Sequence, residues 1–236
     1  MTHHVLLCDL DGTLIDGDKD LQTALGDVLE ASGRRRPSLD EVRRMIGDGA
    51  IKLIERGFAA TGAELDPEEM PGKLALFLER YDATEMKDTE VIAHVFPELR
   101  KLHSDGWQIG LCTNKPSKPA DFILRKFGIR DIFSGIAGGD SYPVKKPHGD
   151  HITLLLKDMG IRKNEQGQWI SDSSGEDCHV FMLGDNKNDV LSAQGAGVTS
   201  LLYTQSVGAP KARAENPDHQ FSTYANFASA LTRIAR

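Results

Sequence analysis

The stretch "VLLCDLDGTLID", residues 5–16, decides the fold. A short apolar run leads straight into Asp9, with Asp11 two positions on and Gly12-Thr13 behind it. In an extended strand, residues i and i+2 project to the same side, so Asp9 and Asp11 leave the first strand together. Gly12 lets the backbone turn sharply after them. Two carboxylates this close repel, and one is driven towards its protonated form unless a cation intervenes. One ionised carboxylate beside one proton carrier is a useful chemical pair. Asp and Gly are also ordinary turn residues, so "DLDG" alone leaves a plain turn as an equal reading.

Outward from this stretch, short apolar runs alternate with helical patterns. Strands are expected at 4–9, 107–113, 134–139, 179–185 and 199–203, and helices at 96–106, 119–128, 149–160 and 189–197. Each helix candidate ends at or near a glycine, a common stop. The repetition predicts an α/β fold, a Rossmann-like parallel sheet flanked by helices, with right-handed crossovers.

Residues 17–88 break the alternation and read as consecutive helices. Leu21, Ala24, Leu25, Val28 and Leu29 follow amphipathic spacing. "SLDE" at 38–41 is a capping-box pattern, and "DPEE" at 66–69 places Asp66 at an N-cap with Pro67 behind it. The expected division is an α/β core of 1–16 with 89–236, interrupted by an all-α insert of 17–88. The polar segment 162–178 is longer than a helix-to-strand loop should be and is expected to be a surface excursion or small hairpin.

The net charge of −7 repels a polyanion, which argues against nucleic acid and anionic membranes as partners. It leaves room for a small anionic substrate at a locally positive site. Cys8, Cys112 and Cys178 are odd in number and widely spaced, with no zinc pattern. Buried free thiols fit a reducing compartment. No apolar run approaches the roughly 20 residues of a membrane span, and the first residues show no signal peptide, so a cytoplasmic protein is expected.

Three further stretches occupy places equivalent to "DLDG". "LCTNK" delivers Thr113 and Asn114, "KKPHG" delivers Lys146, and "MLGDNKND" delivers Asp185 and Asp189. Ligands of open α/β sheets bind outside the carboxyl ends of the strands, and every one of these stretches lies there. Singly, each has a bland reading: β-propensity for Thr113, a turn for Asn114, a solvated lysine for Lys146, a helix cap for Asp185. Jointly, carboxylates gathered at one sheet edge would destabilise the fold without compensation. A hard divalent cation compensates them, and oxygen ligands with room for water suit Mg²⁺.

The ordered set resembles the haloacid dehalogenase superfamily of phosphotransferases. "DLDGT" is similar to its first motif, Thr113 to its second, Lys146 to its third and "GDNKND" to its fourth, in order over essentially the whole chain, with a helical cap after the first strand. Within it the chain is most similar to the phosphoglycolate phosphatase group, on "GDGA" at 47–50, "TNKP" at 113–116 and "GGD" with "KKPH" within 138–148. The resemblance implies a phosphatase in which Asp9 attacks a small anionic phosphomonoester and carries an aspartyl-phosphate. Asp11 would protonate the leaving alkoxide and then activate water. It further implies Mg²⁺ at Asp9, Asp185 and the backbone carbonyl of Asp11, with Asp189 bound directly or through another ligand. Thr113 and Lys146 would hold phosphoryl oxygens, helped by Asn114 and amides near Gly12.

A dehalogenase proper needs neither a metal nor a second aspartate, so Asp11 and "GDNKND" argue against it. A β-phosphoglucomutase shares the core and differs at a few cap residues. A receiver domain also combines Asp, Thr and Lys with Mg²⁺ but is about half this length and has no cap. A catalytically silent binding protein on the same fold would not need every chemical position filled. The cap is expected to set substrate choice. Gly47, Asp48 and Gly49 form either a loop to the substrate or a helix-ending turn. The basic residues of "GRRRP" and Arg43-Arg44 form either a carboxylate site or a solvated face. Hinges are expected near 15–17 and 86–88. The segment "KDTEVIAHVFPEL" lacks the proline-rich approach usual before the helix after the cap. The leaving group stays open among phosphoglycolate, sugar phosphate, nucleotide and pyrophosphate, and no residue pattern indicates an oligomeric state.

Overall fold

The computed structural model describes residues 2–235. β1 (His3–Cys8) is followed by the two-residue strand β2 (Ile15–Asp16). Four helices come next: α1 (Asp18–Ala31), α2 (Leu39–Arg43), α3 (Ala50–Thr61) and α4 (Met70–Ala83). After β3 (Glu90–Val91) the chain alternates through α5 (Val95–Ser104), β4 (Gln108–Cys112), α6 (Ser117–Lys126), β5 (Phe133–Ala137) and α7 (Gly149–Asp158). A short hairpin of β6 (Ile161–Lys163) and β7 (Trp169–Ser171) precedes β8 (Cys178–Gly184), α8 (Lys187–Ala196) and β9 (Thr199–Tyr203). The chain closes with α9 (Ala209–Arg213), β10 (His219–Phe221) and α10 (Phe227–Ile234).

The main sheet has the order β10-β9-β8-β1-β4-β5, and its pairings are parallel. The strand centres follow the alternation expected from the sequence. Val5, Leu6, Leu7 and Cys8 are wholly buried in the central strand, as a strand covered on both faces requires. Burying each such aliphatic side chain contributes about 1.5–3 kcal/mol. In register, Cys8 stands opposite Leu111 on one side and Leu183 on the other. Asp9 is therefore level with Cys112 and Gly184, and Thr113 and Asp185 follow one residue further on at the same carboxyl edge. β1 is also where strand order reverses, with β4 on one side and β8 on the other, the place where such sheets bind ligands.

One edge strand has no counterpart in the sequence expectations, whereas the hairpin expected as one reading of 162–178 is present. β10 joins as an edge strand although "HQF" is short and carries no apolar alternation. The 162–178 segment contains the antiparallel β6–β7 hairpin. Trp169 anchors it, buried, with its Nε1 donating to the Gly197 carbonyl at 3.3 Å.

The chain divides into two compact units, Met1–Leu14 with Val91–Arg236, and Ile15–Glu90. Residues Ile15–Asp16 and Glu90–Val91, where the chain crosses, pair as β2–β3. Within the helical unit, α1 buries Leu21, Ala24, Leu25, Val28 and Leu29, the face its spacing predicted. Ser38 and Glu41 form the expected capping box at α2. Asp66 caps a 3₁₀ turn, Pro67–Glu69, that runs into α4. No helix among the described residues is long and apolar enough to cross a membrane.

Candidate active site

The edge of the sheet gathers four carboxylates and two lysines. Asp9 continues the β1 ladder, its amide donating to the Leu183 carbonyl at 2.8 Å. The chain then turns at Gly12, which has φ +81°. A Cβ there would stand 2.5 Å from Asp185 Oδ2, so glycine serves both the turn and the close approach of Asp185. Thr13 Oγ1 donates to Asp185 Oδ1 at 2.9 Å, and the buried Tyr224 hydroxyl donates to the Thr13 carbonyl at 2.8 Å. Ser206 donates to the Asp185 carbonyl at 3.2 Å.

Asp189 lies one helical turn beyond Asp185, in the first turn of α8. Its Oδ2 accepts from the amides of Asp185 at 3.1 Å and Asn186 at 2.9 Å. Its Oδ1 accepts from Lys146 Nζ at 2.6 Å. The same ammonium stands 2.9 Å from Asp9 Oδ1. That is an ion-pair distance, yet no hydrogen bond is directed at this buried oxygen. Carboxylate oxygens of Asp9, Asp185 and Asp189 lie within 4.8 Å of one another.

Burial, then Asp189 and Asp9, push the Asp185 carboxyl well above the ordinary carboxylate range. Burial also pushes Asp189 up to about 6, with Lys146 opposing and Asp9 adding to the rise. Burial works against the Lys146 ammonium, but Asp189 and Asp9 outweigh it and its pKa is raised. A cation among these oxygens would relieve the repulsion and satisfy the orphaned Asp9 Oδ1. An all-oxygen donor set suits a hard divalent ion. The residues present therefore fit a metal. Burial pushes the neighbouring Cys8 and Cys112 thiols up, which leaves both in their unreactive protonated form.

The other expected residues fall as follows. Thr113 is buried at the end of β4, its amide on the Ala137 carbonyl at 2.9 Å. Asn114 donates through Nδ2 to the Lys146 carbonyl at 2.9 Å, so its amide braces the segment that carries the lysine. The Asp11 carboxylate lies outside the three-carboxylate group. It pairs instead with Lys115, whose Nζ is 3.1 and 3.2 Å from its two oxygens. In the helical unit, Gly47 and Gly49 have φ of +116° and +85°, and Gly49 is the N-cap of α3. Asp48 is ion-paired there to Arg56. The basic run is also engaged inside that unit: Arg34 on the Phe58 carbonyl and ring, Arg35 on Glu41, Arg36 on Asp27 and Glu30. Arg43 pairs with Asp18 at 2.9 Å.

Sequence reasoning did not single out Lys115, Thr13, Ser206 or Tyr224. Lys115 and Thr13 stood inside motifs already singled out, and their position at a strand's carboxyl end was the available signal. Ser206 and Tyr224 follow the last expected strand and have no local pattern; only the tertiary fold brings them to the edge.

The model of the haloacid dehalogenase-like hydrolases matches residues 6–203. The chain belongs to this family. A phosphoglycolate phosphatase of Vibrio cholerae is 36% identical over 215 residues, covering 89% of this chain and 88% of that one. One from Caulobacter vibrioides is 34% identical over 196 residues, covering 83% and 77%. A crystal structure described as a predicted phosphoglycolate phosphatase from Haemophilus somnus superposes with a TM-score of 0.83 at 25% identity, over 100% of this chain and 99% of that one. In this haloacid dehalogenase-like hydrolase, Asp9, Lys146, Asp185 and Asp189 meet at one edge of one sheet.

Proposed function

We propose that the chain is a Mg²⁺-dependent phosphatase acting on a small phosphomonoester of the phosphoglycolate class through an aspartyl-phosphate on Asp9. The carrying observation is the convergence of the Asp9, Asp185 and Asp189 oxygens within 4.8 Å beside the Lys146 ammonium. The relatives named above support the substrate class.

Asp9, Asp185 and Asp189 would hold the ion, with the backbone carbonyl of Asp11 as a further oxygen. When bound, Mg²⁺ supplies positive charge against the anion-on-anion repulsion of a carboxylate approaching a phosphate. Asp9 attacks phosphorus as the bond to the leaving oxygen breaks, and Asp11 gives that oxygen its proton. Asp11 then takes a proton from the water that attacks the aspartyl-phosphate, freeing Asp9 and inorganic phosphate. Lys146 and Thr113 hold phosphoryl oxygens, the amide near Gly12 assists, and Asn114 acts through its bond to the Lys146 carbonyl. In this reading residues 47–49 of the helical unit set substrate choice.

A panel of phosphomonoesters assayed with Mg²⁺ and with chelator tests the proposal. Expected is chelator-sensitive hydrolysis with phosphoglycolate among the preferred substrates. No hydrolysis with Mg²⁺, or hydrolysis indifferent to chelation, would overturn it.

A further inference from the structure

The phosphatase reading gives Asp11 two proton transfers and says nothing of what aims its carboxylate. Lys115 meets both Asp11 oxygens, at 3.1 and 3.2 Å, and the two side chains are 4% and 15% exposed. A lysine taken out of water is costly unless it is paired, and lysines on loops are ordinarily solvated. This one follows Thr113 and Asn114 at the strand end and turns inward.

The backbone leaves it little choice. The Lys115 amide donates to Thr113 Oγ1 at 3.2 Å, and its carbonyl accepts from the Gly139 amide at 2.9 Å. A Cβ on Gly139 would stand 2.5 Å from the Asn114 carbonyl oxygen. The "GGD" segment thus lies flush against the loop and fixes it from behind. Asp140 completes the clamp, accepting from the Ser117 amide at 2.8 Å.

The two lysines divide the carboxylates between them. Lys146 takes Asp9 and Asp189, and Lys115 takes Asp11. Resting on the phosphatase reading, we propose that Lys115 is a positioning residue that fixes the Asp11 carboxylate apart from the three-carboxylate group. Asp9 and Asp11 would otherwise be two neighbouring carboxyl groups free to share one cation. With Asp11 held on its own ammonium, only Asp9 is left to meet phosphorus.

Lys115→Met and Lys115→Arg test this against wild type. Expected for Lys115→Met is a fall in kcat of about 10- to 100-fold, with KM changed less than about threefold. Lys115→Arg should recover part of the loss. Acid-quenched Lys115→Met should retain more covalent phosphoryl group in the steady state than wild type, because the second, Asp11-dependent step slows. Crystals of metal-free Lys115→Met should show the Asp11 side chain away from its wild-type position, a readout independent of turnover. An unmoved Asp11 with unchanged kcat would overturn the inference. So would a raised KM at constant kcat, which would make Lys115 a substrate ligand. If wild type itself hydrolyses no phosphomonoester, the phosphatase reading fails; the Asp11 position in the variant still decides whether Lys115 holds it.

Discussion

The carboxyl edge of the sheet and the helical unit use the same charged residue types to opposite effect. In the helical unit Arg35, Arg36 and Arg43 are matched with acids at partly exposed positions. Arg35 hydrogen-bonds Glu41 and, with the Ser38 contacts, draws it down to about 2; Arg43 and Arg36 are held charged by the acids beside them. At the sheet edge Asp9, Asp11, Asp185 and Asp189 face Lys115 and Lys146 with water largely excluded. There Asp185 and Asp189 are pushed up rather than down. Matched exposed pairs add little and cost little. A buried excess of one sign strains the fold, and such strain marks sites arranged for chemistry.

Breaking the edge should have the largest effect. Asp9→Asn keeps the shape and removes the nucleophile, so kcat should fall at least about a thousandfold while the melting temperature stays within a few degrees. Retained turnover in steady-state assays would move the nucleophile elsewhere.

Metal should come next. A carboxyl with a raised folded pKa makes the folded chain bind more protons than the unfolded chain between the two values. Its favourable contribution is therefore complete below the ordinary carboxylate pKa, about 4, and is lost as pH rises through the folded value, about 6 for Asp189. Metal-free protein should lose stability across that window, and Mg²⁺ should restore it most at the upper end. Asp185→Asn should flatten the loss and abolish the Mg²⁺ response. Thermal melts across pH with and without Mg²⁺ check both.

Much of this contrast was legible in the sequence. The strand centres and the helical insert followed from periodicity, and the gathering of Asp9, Asp185, Asp189 and Lys146 at one edge followed from placement at strand ends. Periodicity could not show that Asn114 spends its amide on Lys146, nor that Lys115 turns inward, because both depend on contacts between distant segments. The helical unit's arginines were ambiguous for the same reason. Residues beyond 203 carry little patterning, so β10, Ser206 and Tyr224 were invisible until the sheet was assembled.

A milder break is Gly12→Ala. A left-handed alanine costs about 1–2 kcal/mol, and its methyl would meet Asp185 Oδ2. Chemical denaturation should show that loss together with weakened Mg²⁺ binding. Arg35→Ala, at a partly exposed pair in the helical unit, should leave both the melting curve and kcat almost unchanged; a large loss of stability there would erase the contrast between the two regions.

The central claim is that Asp9 carries the phosphoryl group at the edge of the sheet. Rapid acid quench of the Mg²⁺-loaded protein during turnover of phosphoglycolate, followed by peptide mass mapping, tests it directly. One covalent phosphoryl group on the peptide containing Asp9, absent from Asp9→Asn, is the predicted result. Turnover with no retained phosphoryl group, or with the group on another residue, would contradict it.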